Sequence, residues 1–274
     1  MNFRSALNLA RCCHPEPTLA VTALVTLLAI RWGRGAGSAW VGAAVLFGQL
    51  SVGWANDYID RERDAGRTDK PLAAGLVSGR LVVAASLVAL CLGVVLSLAS
   101  GLAATAVHVV ALALAHAYNL RLKQTILSVA TYAVAFALAP AFVTLGLRGH
   151  HLPPAWVMAA AALLGAGAHF TQTLGDHDRD RAAGIRGTPQ RLGRQLSVVV
   201  AGLLLGLAGM FATLGPGRPS NLALALFATS LVLVSATVLA GLGGRFKLSF
   251  RLTIGAAGAA VVSLLVGTGS GFGG

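Results

Sequence analysis

The 274-residue chain has few charged residues, few acids and few cysteines. Only 11% of its residues are charged, whereas soluble domains usually carry about 25%, so a water-soluble globule is excluded. Its three cysteines form no CxxC pattern, which excludes a disulfide scaffold and gives no support to a zinc site. A hydrophobic content of 56% and a mean hydropathy of +0.76 exclude a disordered chain. The composition therefore predicts an integral membrane protein.

The basic residues lie between apolar runs and are not gathered in one basic domain. Together, 21 Lys and Arg and nine acids give a net charge of +12. A basic balance can indicate nucleic-acid binding, but cations in the loops between apolar segments are typical of one face of a membrane protein. We therefore predict the lipid bilayer as a partner and no nucleic acid. The preference for Arg over Lys, with abundant Ala and Gly, indicates a GC-rich bacterial source.

Nine apolar segments are long enough to be membrane-spanning helices. About 20 apolar residues cross ~30 Å of hydrocarbon at ~1.5 Å per residue. The predicted spans are 17–30, 38–55, 81–97, 102–118, 125–147, 155–174, 196–214, 221–242 and 252–268. Eight spans are the alternative, because the first segment is short and the last ends in a glycine-rich tail. Arg31 and Arg34 directly follow the first segment, where a cleaved signal peptide would have small neutral residues.

The positions of the cations predict the orientation of these spans. With nine spans, the N-terminus and the loops after the second, fourth, sixth and eighth spans share one face, and they hold 17 of the 21 cations. Loops on the cytoplasmic side carry such an excess. We predict one multi-pass domain, residues 1–274, in the cell membrane, with its N-terminus in the cytoplasm.

Eight of the nine carboxylates lie in two loops on that predicted cytoplasmic face. We call residues 56–80 the first motif loop and residues 175–194 the second motif loop. On a helix, acids spaced three, four or seven residues apart share one side, while Glu62 and Asp178 point away from it. The acids that share a side within their loop are Asp57, Asp60 and Asp64, and then Asp176 and Asp180. We expect each set to emerge at the C-terminal end of an apolar helix.

Acids stacked in this way repel one another, so they need a positive partner. Magnesium is typically held by a few carboxylates together with phosphate oxygens. The alternative is a solvated network in which arginines such as Arg61, Arg63, Arg179 and Arg181 neutralise the acids. Carboxylates for a metal and nearby cations for oxyanions suit a diphosphate, and an apolar bundle beside them suits a lipid tail.

These motifs resemble those of the UbiA superfamily of intramembrane prenyltransferases. Lys70 replaces the second Arg of the family's RTxxRP stretch, with Asp69 alone between it and Thr68 where the family has two residues, so it keeps the charge but lacks a planar fork of donors. The matching residues are Asn56, Asp57, Asp60 and Asp64 for NDxxDxxxD, Arg67, Lys70 and Pro71 for RTxxRP, Tyr118 and Lys123 for YxxxxK, and Asp176, Asp180 and Gly184 for the second acidic motif.

The resemblance implies nine helices around a lipid-accessible chamber. It implies Mg²⁺-dependent transfer of a prenyl group from an isoprenyl diphosphate to an aromatic acceptor, of the phenol or quinone-precursor type, or to another lipophilic acceptor. Two Mg²⁺ ions bridging the diphosphate would be held by Asn56, Asp57, Asp60, Asp64, Asp176 and Asp180. The diphosphate would be contacted by Asn56, Arg63, Arg67, Lys70, Tyr118, Lys123 and Arg186.

Two other functions remain open on the sequence. A terpene cyclase of the same superfamily would use the same metal motifs, with the prenyl cation attacking its own chain. A non-enzymatic cation or lipid transporter would use the acid loops as cation sites.

Overall fold

The computed structural model describes residues 3–269, and all regular structure in that range is helical. Two short 3₁₀ turns, Leu98–Ser100 and Leu122–Gln124, flank the fifth helix. The α-helices are α1 (Phe3–Arg11), α2 (Pro15–Arg31), α3 (Gly37–Asp60), α4 (Gly79–Ser97), α5 (Leu102–Leu120), α6 (Ser128–Leu145), α7 (Ala155–Thr173), α8 (His177–Ala182), α9 (Thr188–Leu192), α10 (Arg194–Leu214), α11 (Asn221–Leu242) and α12 (Phe246–Thr268).

Local sequence signals set several of the helix ends. The hydroxyl of Ser78 accepts a hydrogen bond from the Leu81 N–H at the start of α4, and Ser220 caps α11 in the same way through Ala223. Helix α2 begins at Pro15, where the missing N–H costs nothing because the first turn has no partner for it. Between these signals the chain is continuously apolar, so the helices run for the thickness of a bilayer.

Each of the nine predicted spans corresponds to a helix of 17 to 24 residues in the described range. Seven helices there are long and apolar enough to cross a membrane, and α1 with α2, bent by 71°, count as an eighth if they form one span. Helix α7, which carries His169 and Gln172 near its end, is not among the seven. The number nine is therefore approximate.

Three predicted spans had wrong limits. Span 38–55 is α3, which continues five residues further, to Asp60. Span 125–147 is α6, which begins only at Ser128, because Thr125 is extended and its hydroxyl accepts the Leu127 N–H. Span 252–268 is α12, which begins six residues early at Phe246. Arg251 was assigned to a loop, but it lies on the helix and reaches outward to Glu16, 2.6 Å away.

The long helices close into a ring. Helix α2 packs against α3 and α12, α3 against α4 and α5, α5 against α6, α6 against α7, α7 against α10, and α10 against α11 and α12. Glycines let some of these backbones approach closely, as is common for helices packed in lipid. A Cβ at Gly93 of α4 would lie 3.1 Å from the backbone nitrogen of Gly48 in α3.

The ring encloses a cavity of about 570 Å³. One part of its wall is apolar, with residues such as Leu24 and Ile254. Its polar end collects side chains from all five segments predicted to share one face, namely Arg11, Lys70, Lys123, Asp176 and Lys247. These segments therefore meet at one end of the bundle, and the compartment that this end faces stays a prediction.

Candidate active site

The first motif loop brings three carboxylates together beside the polar end of the cavity, and one of them, Asp60, lines it. Helix α3 ends at Asp60, but the Asp64 N–H still donates to the Asp60 carbonyl at 2.8 Å and adds one further turn. The spacing predicted from the sequence is thereby kept. Asp57, Asp60 and Asp64 are only 2–4% exposed, so their charges are held away from bulk water and need partners inside the protein.

The second motif loop is built differently from the prediction. We expected its acids to continue the C-terminal end of the preceding span. Instead, α7 stops at Thr173, the chain turns at Gly175, and α8 begins after Asp176. The Asp180 N–H donates to the Asp176 carbonyl at 2.7 Å, so one helical turn separates the two acids. The two acids still lie on one side, but Asp176 precedes a helix where it was expected to end one.

Arg63 joins the two motif loops at the buried end of the site. Its Nη2 donates to Asp60 Oδ2 at 2.7 Å, and its Nη1 lies 3.2 Å from Asp180 Oδ1. The planar guanidinium can serve two carboxylates at once because its donors form a fixed fork. Acids that are 120 residues apart in sequence are therefore held against one cation.

Arg67 makes a second, parallel link between the loops. Its Nη1 lies 3.4 Å from Asp64 Oδ1 and 3.2 Å from Asp176 Oδ1. Its other donors hold Asp69, with Nη2 at 2.7 Å from Asp69 Oδ2. This hydrogen bond lowers the pKa of Asp69 to about 2, and the same bond raises the pKa of Arg67.

Two lysines complete the set of cations. Lys70 Nζ lies 2.5 Å from Asp57 Oδ1 and 3.7 Å from Asp64 Oδ2. Lys123, which is itself buried, binds Asp60. The cations that the resemblance assigns to phosphate are thus paired with carboxylates here, as in the alternative of a neutralising network.

Asn56 lies beside these acids and lines the cavity. Its Nδ2 donates to Asp60 Oδ2 and to Asn119 Oδ1, both at 3.1 Å. Asn119 in turn donates to the Val52 carbonyl at 2.9 Å, which fixes the pair against α3. Asn119 was missed in the sequence, although it directly follows Tyr118 of the family motif.

Tyr118 borders the acids with a wall of aromatic rings. It meets Tyr132 edge-on at 4.9 Å and His169 edge-on at 5.4 Å, measured between ring centroids. The hydroxyl of Tyr132 donates to Gln172 Oε1 at 3.1 Å. Together with Phe136, the two tyrosines and Gln172 line the cavity directly beside its polar end.

Arg186 is the one predicted site residue that the structure does not bring into this group. Ile185 is buried and lines the cavity, and the next side chain, that of Arg186, is exposed and outside it. Its carbonyl accepts a hydrogen bond from Arg191 Nε at 2.7 Å. The expectation that Arg186 contacts the diphosphate is therefore not supported by its position.

Two polar residues that contact the acids were not predicted. Gln190 Nε2 donates to Asp180 Oδ2 at 2.9 Å, and His14 Nε2 lies 3.1 Å from Asp57 Oδ1. Gln190 lies at the end of the second motif loop, and His14 precedes the first span. Neither belongs to a spacing pattern, so the sequence offered no signal for them.

Asp180 has the most perturbed carboxyl group outside the spans. Burial raises its pKa to about 6, with Asp176 and Asp60 acting in the same direction, while Arg63 and Gln190 oppose the shift. Its Oδ1 is buried and makes no hydrogen bond.

The donor set fits a hard divalent cation. It consists of carboxylate and amide oxygens facing one another from two loops, which is the ligand chemistry that Mg²⁺ prefers. The buried Asp180 Oδ1 makes no hydrogen bond and lies 3.2 Å from Arg63 Nη1, so a metal bound there would replace that ion pair. Within residues 3–269, no three His, Cys, Asp or Glu side chains form a ready-made ion site, because Arg63, Arg67, Lys70 and Lys123 stand among the carboxylates.

The model of the UbiA prenyltransferase family matches residues 17–244. The chain belongs to this family. It is therefore a multi-pass membrane protein and a prenyltransferase, and the resemblance seen in its motifs is confirmed. No curated protein sequence matches the chain significantly.

The fold of this UbiA family member is similar to that of solved relatives. The apo structure of a UbiA homologue from Aeropyrum pernix K1 is 20% identical with a TM-score of 0.75, covering 92% of this chain and 98% of that chain. A digeranylgeranylglyceryl phosphate synthase is 18% identical with a TM-score of 0.68, covering 96% and 98%. A UbiA homologue from Archaeoglobus fulgidus bound to GPP and Mg²⁺ is 17% identical with a TM-score of 0.66, covering 93% and 99%. At these identities, the likeness shows the fold.

Proposed function

We propose that this UbiA family member transfers a prenyl group from an isoprenyl diphosphate to an aromatic or other lipophilic acceptor. The observation that carries the proposal is the joining of two acid loops by Arg63 and Arg67 at the polar end of an apolar cavity. A diphosphate with a hydrocarbon tail is the substrate that such a cavity suits, and a relative of the same fold is bound to GPP and Mg²⁺.

Two Mg²⁺ ions would bridge the diphosphate to the protein in this proposal. When bound, they supply positive charge that stabilises the diphosphate as it leaves. The residues that would hold them are Asn56, Asp57, Asp60, Asp64, Asp176 and Asp180.

The cations of the site would bind the diphosphate oxygens. Arg63 and Arg67 offer forked donors that match phosphate geometry, whereas Lys70 and Lys123 act as point charges. All four contact carboxylates proposed to hold the metal ions. They therefore already border the place where the substrate and its metals would bind. Fixed donors of this kind stabilise negative charge as it develops on the leaving group.

The rest of the cavity would bind the prenyl chain and protect the reacting carbon. Its apolar wall excludes water, which would otherwise react with the allylic cation. Tyr118 and Tyr132 lie between this wall and the acids, where the faces of their rings attract a developing positive charge. The acceptor attacks this carbon from the same chamber as the C–O bond to the diphosphate breaks, the diphosphate leaves, and the proton that the acceptor loses passes to a carboxylate of the motif loops.

A comparison of paired acid variants tests this proposal. Asp60→Asn and Asp180→Asn should each lower the Mg²⁺-dependent consumption of labelled geranyl diphosphate by at least ~100-fold, since each removes a carboxylate proposed to hold the Mg²⁺ that stabilises the leaving group. The matched controls are Glu62→Gln and Asp178→Asn, whose side chains are 84% and 78% exposed and pair with Arg61 and Arg194. Both controls should keep the wild-type rate.

The products decide between the related functions. A panel of phenolic, quinone-precursor and lipid-alcohol acceptors, analysed by mass spectrometry, should give one prenylated acceptor. A cyclic hydrocarbon formed without any acceptor would instead indicate a terpene cyclase. Undiminished consumption by folded Asp60→Asn or Asp180→Asn protein would overturn the proposal.

A further inference from the structure

We propose that His14 is a positioning residue of the active site, which holds Asp57 for metal binding from outside both motif loops. The inference rests on the proposed function and extends its site to the link between α1 and α2. His14 lines the cavity, and its side chain is 35% exposed. It belongs to no motif of the sequence.

The contacts of His14 point directly at the acid cluster. Nε2 lies 3.1 Å from Asp57 Oδ1, and Lys70 Nζ lies 3.4 Å from the same nitrogen. A carboxylate only accepts hydrogen bonds and a lysine only donates them, so Nε2 serves Asp57 when it carries a proton and Lys70 when it does not. With the proton on Nε2, the carboxylate is fixed by an imidazole on one side and by the lysine, 2.5 Å from the same oxygen, on the other.

The backbone of His14 adopts a conformation that needs external support. Its φ of 55° and ψ of 72° are left-handed, a conformation that is uncommon outside glycine, although asparagine, aspartate and histidine adopt it more often than other residues. Such strain persists only where the surroundings fix it, and it is concentrated at functional sites. Within the described residues, His150 is the only other non-glycine residue with positive φ.

The surroundings do fix this link against α3. The Cys13 carbonyl accepts a hydrogen bond from Thr18 Oγ1 at 2.8 Å, and it packs so closely on Gly53 that no side chain fits there. Gly53 lies one helical turn before Asp57 on α3. The position of the α1–α2 link relative to Asp57 is therefore fixed. The same turn that gives His14 its left-handed backbone also directs its ring toward Asp57.

A comparison of two substitutions separates the contact from the turn. Asn tolerates the left-handed conformation but is too short to reach Asp57, whereas Gln tolerates that conformation less well but places a donor near the position of Nε2. We measure the Mg²⁺ concentration needed for half-maximal binding of geranyl thiolodiphosphate, a substrate analogue with a sulfur bridge. His14→Asn should raise it about tenfold, a typical loss for a residue that orients a metal ligand, and His14→Gln should stay within about threefold of wild type.

His150→Asn is the matched control, because it alters the other left-handed histidine, whose Nδ1 bonds the Leu145 carbonyl outside the cavity. It should leave the Mg²⁺ requirement unchanged. An unchanged requirement in His14→Asn, or an equal rise in His14→Gln, would overturn the positioning role.

A thermal double-mutant cycle keeps this test separate from the proposed function. If the wild type binds no analogue with Mg²⁺, the proposed function fails, and the cycle decides on His14 alone. The double variant His14→Asn/Asp57→Asn should lose less Tm than the two single variants do in sum. The expected difference is at least about 2 °C. Additive losses would show that the two side chains do not act together.

Discussion

At the scale of single side chains, the site is a set of opposite charges that neutralise one another. Arg63 and Arg67 each bind one carboxylate from the first motif loop and one from the second motif loop. A buried carboxylate without such a partner would be strongly destabilising. The same cations that let the acids stay charged also lie where a diphosphate would need them, so folding and substrate binding draw on the same residues.

Asp180 gives the site a pH dependence that can be measured on the metal alone. Burial raises its pKa to about 6, so its carboxyl is mostly ionised at pH 7 and mostly protonated at pH 5. A metal competes with that proton, and Mn²⁺ affinity should therefore fall roughly tenfold from pH 7 to pH 5. Electron paramagnetic resonance of Mn²⁺ measures this affinity at each pH. An equally steep fall in affinity in Asp180→Asn protein would refute the role of Asp180 in the pH dependence.

The raised pKa of Asp180 also affects stability in a defined direction. The folded state holds this proton more tightly than the unfolded chain does. The free energy of unfolding contributed by Asp180 therefore falls as pH rises from about 4 to about 6.

Sequence spacing singled out side chains that the structure brings together, and their roles in the reaction stay a prediction. The five aspartates and Asn56 were found because they recur at helical intervals and match a family motif. His14, Asn119 and Gln190 each add one hydrogen-bonding group from another element, and such contacts depend on tertiary packing. Arg186 lies outside this group because its neighbour Ile185 takes the inward position, so its contact with the diphosphate stays a prediction.

At the scale of helices, small residues decide how closely the elements pack. Composition and hydropathy predicted which segments are helical, because a bilayer leaves few alternatives for a long apolar run. They did not predict the break between α7 and α8 or the early start of α12. Both lie in stretches with charged residues, such as Arg251 within α12, where hydropathy gives no helix signal.

A pair of glycine substitutions tests the packing of α3 on α4. Gly93→Val places a side chain 3.1 Å from the backbone of Gly48, and such overpacking costs about 1–3 kcal/mol. Tm in detergent should fall by several degrees, at roughly 2–4 °C per kcal/mol for a chain of this size. Gly258→Val is the matched control on α12, where a Cβ would meet nothing within 4 Å, and equal losses in both variants would argue against the contact.

At the scale of the whole molecule, the ring of helices brings five basic segments to one end. Cation counting predicted this grouping without the acids, and the cavity end with Arg11, Lys123 and Lys247 agrees with it. The motif loops meet there because they follow helices that point the same way. The number of cations in each loop could not predict the shape of the cavity, because that shape depends on the angle and distance at which each helix packs against its neighbour.

Cysteine labelling in whole cells tests the predicted orientation. Ala65→Cys in the first motif loop should react with a membrane-impermeant maleimide only after the cells are opened. Arg218→Cys, in the loop at the other end of the bundle, should react in intact cells. The opposite pattern would reverse the assigned orientation without affecting the fold.

The central claim is that carboxylates from both motif loops bind one metal–diphosphate centre. A crystal structure with Mn²⁺ and geranyl thiolodiphosphate tests it most directly, because anomalous scattering locates the metal. We predict Mn²⁺ peaks about 2–2.3 Å from oxygens of Asp60 and Asp180, with the diphosphate between the loops. Metal bound to one loop only, or a diphosphate outside the cavity, would contradict the account.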